Sequence, residues 1–590
     1  MKTKAHILTG LSLCAFLVCS CACNHEFTKV NAKEASFYED GNIEYYTCGK
    51  CDKYFDKDKN EINKDSVKLR LPIFDTFDRE NPISLFGTPL ELNYDAQKVI
   101  DVVNESNKLI DKISSGTFYK ATEAQNVITK INEQLDVLKE QFDIANLLAD
   151  ASGKSEDYQK QDAIYNDYYK MQDQYYGVYV ALAKDRTYLK QFFPNYTEEQ
   201  LQKFIKDHTG SGGGGTSGQS TSKQIQNLLD NYKAGKLERF DTYSQLVKIS
   251  NQLANEKSYN NYLDYAYRLY QREYKVSDAI ELGSKVIENI TPLYTQMKKK
   301  LSQSGMDGSI KESNNKLSKN FFGKNMDLLR NYAKDLGNDY KVNFQKLFDE
   351  GRYYFSDVYN PNTTAYTANF VSKGNILFLS KDYQSMSSLI HEFGHFNAHY
   401  TYGDSVVLDL SETHSKGNEL LFLSYFKNSN SFCNEIKVGY TYDTLCESIN
   451  ALLLDFAVNE LEYFSYNNSF DQTALENKWV ELLTKYGATI SKNKFDYMYQ
   501  VLLNYRGYYV SYGVSGLAAL QLFAKGLTDF NVAANAYKSI YTKDGETEKF
   551  KKSLENAGLF DVFSDDSFTL IKTIENIWVL KLYFSRVLYR

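Results

Sequence analysis

From Asn93 onward, apolar residues return at three- and four-residue steps. Val99, Val102, Val103, Leu109, Ile110 and Ile113 form one stripe; Val127, Ile128, Ile131, Leu135, Leu138 and Phe142 form the next. Such spacing gathers the apolar side chains on one helix face and predicts successive antiparallel helices packed through those faces. These stripes are core faces, not sites. The stretch TGSGGGGTSGQSTS, residues 209–222, has no apolar content and reads as a flexible loop or linker. Helical patterning resumes after it, as in SKQIQNLLDNYKAGK. The 590 residues include six prolines, none after Pro361. Proline breaks helices, so the remaining 590 − 361 = 229 residues suit long uninterrupted ones. The helical pattern breaks at AYTANFVSKGNILFLS, residues 365–380, which is rich in β-formers and has Lys-Gly-Asn in its middle. It predicts a short hairpin or a pair of strands. The whole pattern predicts a mostly α fold: a large helical body with a small β-sheet beside the helix that follows it.

Composition changes this picture little. Apolar residues make up 43% and charged residues 24%, ordinary for a globular protein. A net charge of −7 gives no reason to expect nucleic acid as a partner. The N-terminus adds more. MKTKAHILTGLSLCAFLVCSCAC has a basic start, an apolar run from Ile7 to Val18, then small residues and cysteines. The run is too short to span a membrane and fits a secretory signal. Its order resembles a bacterial lipoprotein signal, in which a cysteine becomes the new N-terminus and carries lipid. Cys21 is the first choice for that residue and Cys23 the second. The resemblance implies export and a lipid anchor on the outer face of a bacterial cell membrane.

Four of the eight cysteines lie in this leader, leaving Cys48, Cys51, Cys433 and Cys446, too few for a disulfide-built scaffold. The expected organisation is a signal over 1–22, a small His/Cys module over 23–70, a helical region over 71–222 and a larger helical domain over 223–590. In the module, Cys48 and Cys51 form a Cys-x-x-Cys pair that can bind zinc with His25 as a third ligand. It resembles small His/Cys modules of Gram-positive surface proteins, which carry a further cysteine where this chain has Phe37. A Cys48–Cys51 disulfide or a pair of reduced thiols fits the spacing as well.

Chemistry concentrates at LIHEFGHFNAHY, residues 389–400, which holds three of the chain's seven histidines. Met386, Leu389, Ile390, Phe393 and Phe396 form an apolar stripe, so the stretch is a helix. His391 and His395 are four apart, on one face, and two imidazoles so placed can bind one tetrahedral Zn²⁺. Glu392 stands beside the first ligand, within reach of a zinc-bound water. A hydrolytic zinc needs a third protein ligand. The candidates are His399 and, in LDLSETHSKGNELLFL, Glu412, His414 and Glu419. Glu412 and Glu419 are seven apart and share a helix face. One can bind the metal while the other holds a ligand histidine by its second nitrogen.

Three segments in this order resemble the thimet oligopeptidase and oligoendopeptidase F family of zinc metallopeptidases. They are HEFGH, SETHSKGNE and YRGYYVSYGVSGLAAL, the last at residues 505–520. The resemblance covers roughly residues 80–590. It implies a helical zincin-type metallopeptidase body, one catalytic Zn²⁺ and oligopeptide substrates cleaved by a metalloendopeptidase mechanism. It selects Glu412 as third ligand and Glu419 as the residue that holds a ligand histidine from behind. It gives Glu392 the role of base and Tyr505, Tyr509 and Tyr512 the role of oxyanion donors, Tyr512 and Tyr505 ahead of Tyr509. Tyr508 is read as packing. The strand Gly374–Leu379 is expected to pair with the substrate backbone. The chain departs from the family in having Ala398, with His399 one place later, and in having Gln500 where relatives have histidine. The second departure supports an alternative reading, a catalytically inactive peptide-binding surface lipoprotein.

Overall fold

The computed structural model describes residues 24–33, 41–69, 84–85, 88–208, 221–304, 324–356, 358–360, 363–370, 374–403, 407–429, 434–540 and 549–574. The leader with Cys21 and Cys23, Phe37, and residues 209–220 of the Gly/Ser-rich stretch lie outside them. The chain divides into two compact units, Met1–Phe77 and Asp78–Arg590.

The first unit carries a four-stranded sheet of Phe27–Val30, Tyr45–Cys48, Tyr54–Phe55 and Glu61–Ile62, in that order, each strand antiparallel to its neighbour. The register sets Phe27 opposite Cys48. A tight turn follows, in which the Asp52 N–H donates to the Cys48 carbonyl at 3.1 Å. Asp52 takes a left-handed backbone (φ 52°), which Asp tolerates better than most residues.

The second unit is mostly α, as the apolar periodicity requires. Helices Ala96–Ser114, Ala121–Ser152 and Ser155–Asp185 follow one another. The Asp95 side chain caps the first by accepting from the Gln97 N–H. The second ends where Gly153 turns left-handed and donates to the Ala149 carbonyl. Both predicted stripes lie in their shared core: Val99, Leu109, Ile113, Val127, Ile128, Ile131 and Leu138 are buried, with Val102, Val103, Ile110, Leu135 and Phe142 packed against them. Helix Thr221–Lys233 claims the last two residues of the expected loop.

The predicted hairpin forms, with Ala365–Phe370 antiparallel to Gly374–Leu379. A third strand, Tyr353–Phe355, runs parallel along the other side of Gly374–Leu379. This corrects one expectation. Gly374–Leu379 is the central strand: it pairs along its whole length with Ala365–Phe370, and over Leu377–Leu379 with Tyr353–Phe355 on the other side. Ala365–Phe370 is the outer strand. Ile376, Leu377, Phe378 and Leu379 are wholly buried, which suits a central strand.

Beside the sheet lies the histidine helix, Met386–Tyr402, opened by Ser385, whose hydroxyl accepts from the Ser388 N–H. It packs on the glutamate helix, Leu408–Asn428, which packs in turn on the tyrosine helix, Tyr509–Thr528. The crossing of the first two is very close at Gly394. A Cβ there would stand 2.6 Å from the His414 carbonyl oxygen and 2.7 Å from Ser415 Cα. Only glycine permits this approach, and the approach brings His395 to Glu412. Among the described residues, no helix is long and apolar enough to cross a membrane.

Candidate metal centre

His391 and His395 project from one face of the histidine helix with ring centroids 5.3 Å apart. Glu412 meets them from the glutamate helix. One donor atom from each of the three lies within 4.8 Å of the others. His395 Nε2 is 3.7 Å from Glu412 Oε2. Ideal tetrahedral bonds of ~2.0–2.1 Å separate nitrogen and oxygen donors by about 3.4 Å, so a small side-chain adjustment closes the set on Zn²⁺. His399 and His414 fall outside this cluster. His399 lies against the Tyr400 ring, and His414 is buried between Tyr402 and Tyr537, its titration pushed down to about 3 by burial.

The partners of the ligand set suit a metal. Glu419 Oε2 lies 3.0 Å from His391 Nδ1, and the Ser387 hydroxyl donates to the other Glu419 oxygen. A carboxylate on Nδ1 fixes the proton there and leaves Nε2 as the ligand atom. Glu412 accepts from the Ser415 hydroxyl at 3.2 Å and from the Tyr508 hydroxyl at 2.8 Å. Glu392, only 4% exposed, is held by Thr367 of the outer strand. The Thr367 hydroxyl reaches both its backbone carbonyl at 2.9 Å and its Oε2 at 3.0 Å.

Electrostatics separates these groups. Burial pushes Glu392 up to about 7, against the pull of His391 and the Thr367 hydroxyl. Burial lowers His391, but the Glu419 hydrogen bond and the charges of Glu392, Glu419 and Glu412 outweigh it and raise that imidazole to about 9. His395 falls to about 4 through burial, with Glu412 opposing. The carboxylates thus favour positive charge at this point, as a proton on His391 or as a cation between the ligands.

The tyrosines form one contiguous group. Ring centroids of Tyr505 and Tyr509 are 5.9 Å apart, those of Tyr509 and Tyr512 5.8 Å, and those of Tyr508 and Tyr512 5.1 Å. The Tyr508 hydroxyl donates to Glu412, with the Tyr512 ring packed beside it. Tyr508 is therefore more than packing. It precedes the tyrosine helix by one residue, and its ring turns back toward the glutamate helix. Its spacing of four from Tyr512 is the sequence signal that marks their shared face. Among the described residues, no hydrogen bond joins Tyr505, 43% exposed, or Tyr509 to the ligand trio. Gln500 is exposed on helix Lys494–Asn504.

One anchoring pair gives no sequence signal. Asp409 opens the glutamate helix one turn before Glu412, and its fully buried carboxylate lies 3.8 Å from the fully buried Arg272 Nε. Arg272 also donates to Ser511 Oγ at 2.8 and 3.1 Å and to the Tyr508 carbonyl at 3.3 Å. The Tyr267 and Tyr270 rings flank its guanidinium. This one side chain ties the start of the tyrosine helix to the helix that carries Glu412.

No protein-family model matches the chain, and no curated protein matches it. Solved structures do. PZ peptidase A with an inhibitor superposes with a TM-score of 0.55 at 15% identity, over 82% of this chain and 97% of that one. A protein assigned as oligoendopeptidase F from Bacillus anthracis str. Ames gives 0.53 at 15% identity, over 85% and 97%. Another protein assigned as oligoendopeptidase F gives 0.57 at 14% identity, over 84% and 98%. The chain has the helical fold of these peptidase structures, with a small sheet beside the histidine helix.

Proposed function

We propose that this chain is a zinc-dependent oligopeptidase whose metal is held by His391, His395 and Glu412. One observation carries the reading: three donors converge within 4.8 Å, with Glu392 beside them and Glu419 behind His391. When bound, Zn²⁺ supplies Lewis acidity, polarising a peptide carbonyl and making water more acidic. Glu392 takes the proton from the attacking water at a carboxylate oxygen and hands it to the leaving amine. Thr367 holds this base in place. Tyr512 supplies a hydroxyl donor where negative charge develops on the substrate oxygen, and Tyr508 holds Glu412 by its own hydroxyl proton. Among the described residues the outer strand Ala365–Phe370 pairs with a strand on one side, and an extended peptide added on its other side would have its backbone set near Glu392 by Thr367.

The test is hydrolysis of an internally quenched fluorescent peptide by the purified chain. The reading expects cleavage that a zinc chelator abolishes and that added Zn²⁺ restores. Cleavage that survives exhaustive chelation contradicts it.

A further inference from the structure

The described part of the N-terminal unit has very little core. Among its described residues, the buried apolar side chains are Cys48, Phe55 and Val67. Strands of two to four residues around three buried side chains do not hold a fold by burial alone; units of this size need a disulfide or a metal. Three soft donors stand where such a staple would sit. His25 lies just before the strand Phe27–Val30, Cys48 ends the strand Tyr45–Cys48, and Cys51 lies in the turn after it. Their donor atoms are all within 4.8 Å of one another.

The spacing fits a shared metal ion. Cys51 Sγ lies 3.4 Å from His25 Nδ1. A tetrahedral Zn²⁺ with sulfur at ~2.3 Å and nitrogen at ~2.0–2.1 Å sets those donors about 3.6 Å apart. A Cys48–Cys51 disulfide gives His25 no part, yet His25 is fixed in this position by the edge of Phe55, 4.7 Å away, and by Phe27.

We propose that His25, Cys48 and Cys51 bind a second divalent cation, Zn²⁺ by the softness of its donors, that staples the N-terminal unit. Two thiolates neutralise the ion and a neutral imidazole completes three protein bonds; among the described residues no fourth donor joins them. Its role is structural, separate from the centre in the helical body, and the proposal stands or falls independently of the peptidase reading.

The test uses the full chain loaded with Co²⁺ in place of zinc. The His391–His395–Glu412 centre has no sulfur, so sulfur-to-cobalt charge-transfer absorption in the near ultraviolet reports only the N-terminal unit. The proposal expects that band in the parent and in His391→Ala, its loss in Cys48→Ser/Cys51→Ser, and a weakened or shifted band in His25→Ala. Because the double cysteine variant also removes the staple, thiol alkylation of the parent gives a second reading. Cys48 and Cys51 should resist alkylation until a chelator is added. Absence of the band in the cobalt-loaded parent, or a Cys48–Cys51 disulfide in its peptide map, overturns the proposal. Loss of the band in His391→Ala alone would also overturn it.

Discussion

Replacing Glu392 by glutamine should leave the body's metal content unchanged and lower kcat by on the order of 10²–10⁴-fold or more, because the same group acts in both proton transfers. Glu392 is not among the converging donors, so its loss of charge does not open the ligand set. Glutamine keeps the shape and still accepts from the Thr367 hydroxyl, so the histidine helix stays tied to the outer strand. What disappears is the basic oxygen. The tyrosines make a contrast in the same assay. Tyr512→Phe should keep the metal and lose about 10²–10³-fold in kcat with KM nearly unchanged, the pattern of a donor used only in the transition state. Tyr508→Phe should weaken metal affinity as well, by ~10–100-fold, because it removes the 2.8 Å hydrogen bond that orients Glu412. Near-normal turnover in Glu392→Gln, measured on a quenched fluorescent peptide, would show that Glu392 is not the base.

Asp409→Ala should be the most destabilising of the substitutions considered. It leaves the Arg272 guanidinium fully buried, with Ser511, the Tyr508 carbonyl and two tyrosine rings around it but without its ion-pair partner. Stripping one partner from a buried ion pair costs ~3–5 kcal/mol. Replacing both partners by apolar residues of similar volume costs less, since no charge is then stranded. The double variant Arg272→Met/Asp409→Leu should therefore unfold at a higher urea concentration than Asp409→Ala, while still losing turnover because Tyr508 is no longer anchored. Urea unfolding followed by circular dichroism checks this. Equal midpoints for Asp409→Ala and the parent would mean the pair does not hold these helices together.

The fold was legible where one physical period dominates. The stripes through Val99–Ile113 and Val127–Phe142 forecast two helices because half-buried helices must repeat at 3.6 residues. The hairpin over 365–379 was legible from its β-formers and its glycine. The third strand was not: Tyr353–Phe355 is three aromatic residues, too few to show alternation, and missing it made the central strand look like an edge. At the candidate metal centre, spacing alone groups His391, His395 and Glu392 on one helix. It pairs Glu412 with Glu419 without saying which faces the metal. Gly394 was a clue, since glycine inside a helix costs about 1 kcal/mol against alanine and its presence marks close packing. Thr367 and Arg272 had no local signal, because a threonine in a strand and an arginine before a helix are ordinary. Their roles arise only when distant segments meet.

The central claim is that His391, His395 and Glu412 share one zinc ion. The most direct measurement is an anomalous difference map at the zinc edge, from crystals of protein that cleaves peptide in solution. The account predicts a peak in the helical body bounded by an imidazole nitrogen of His391, one of His395 and a carboxylate oxygen of Glu412, with Glu419 on the far side of the His391 ring. A peak ligated instead by His399 or His414, or no peak in the helical body of zinc-saturated active protein, would contradict it.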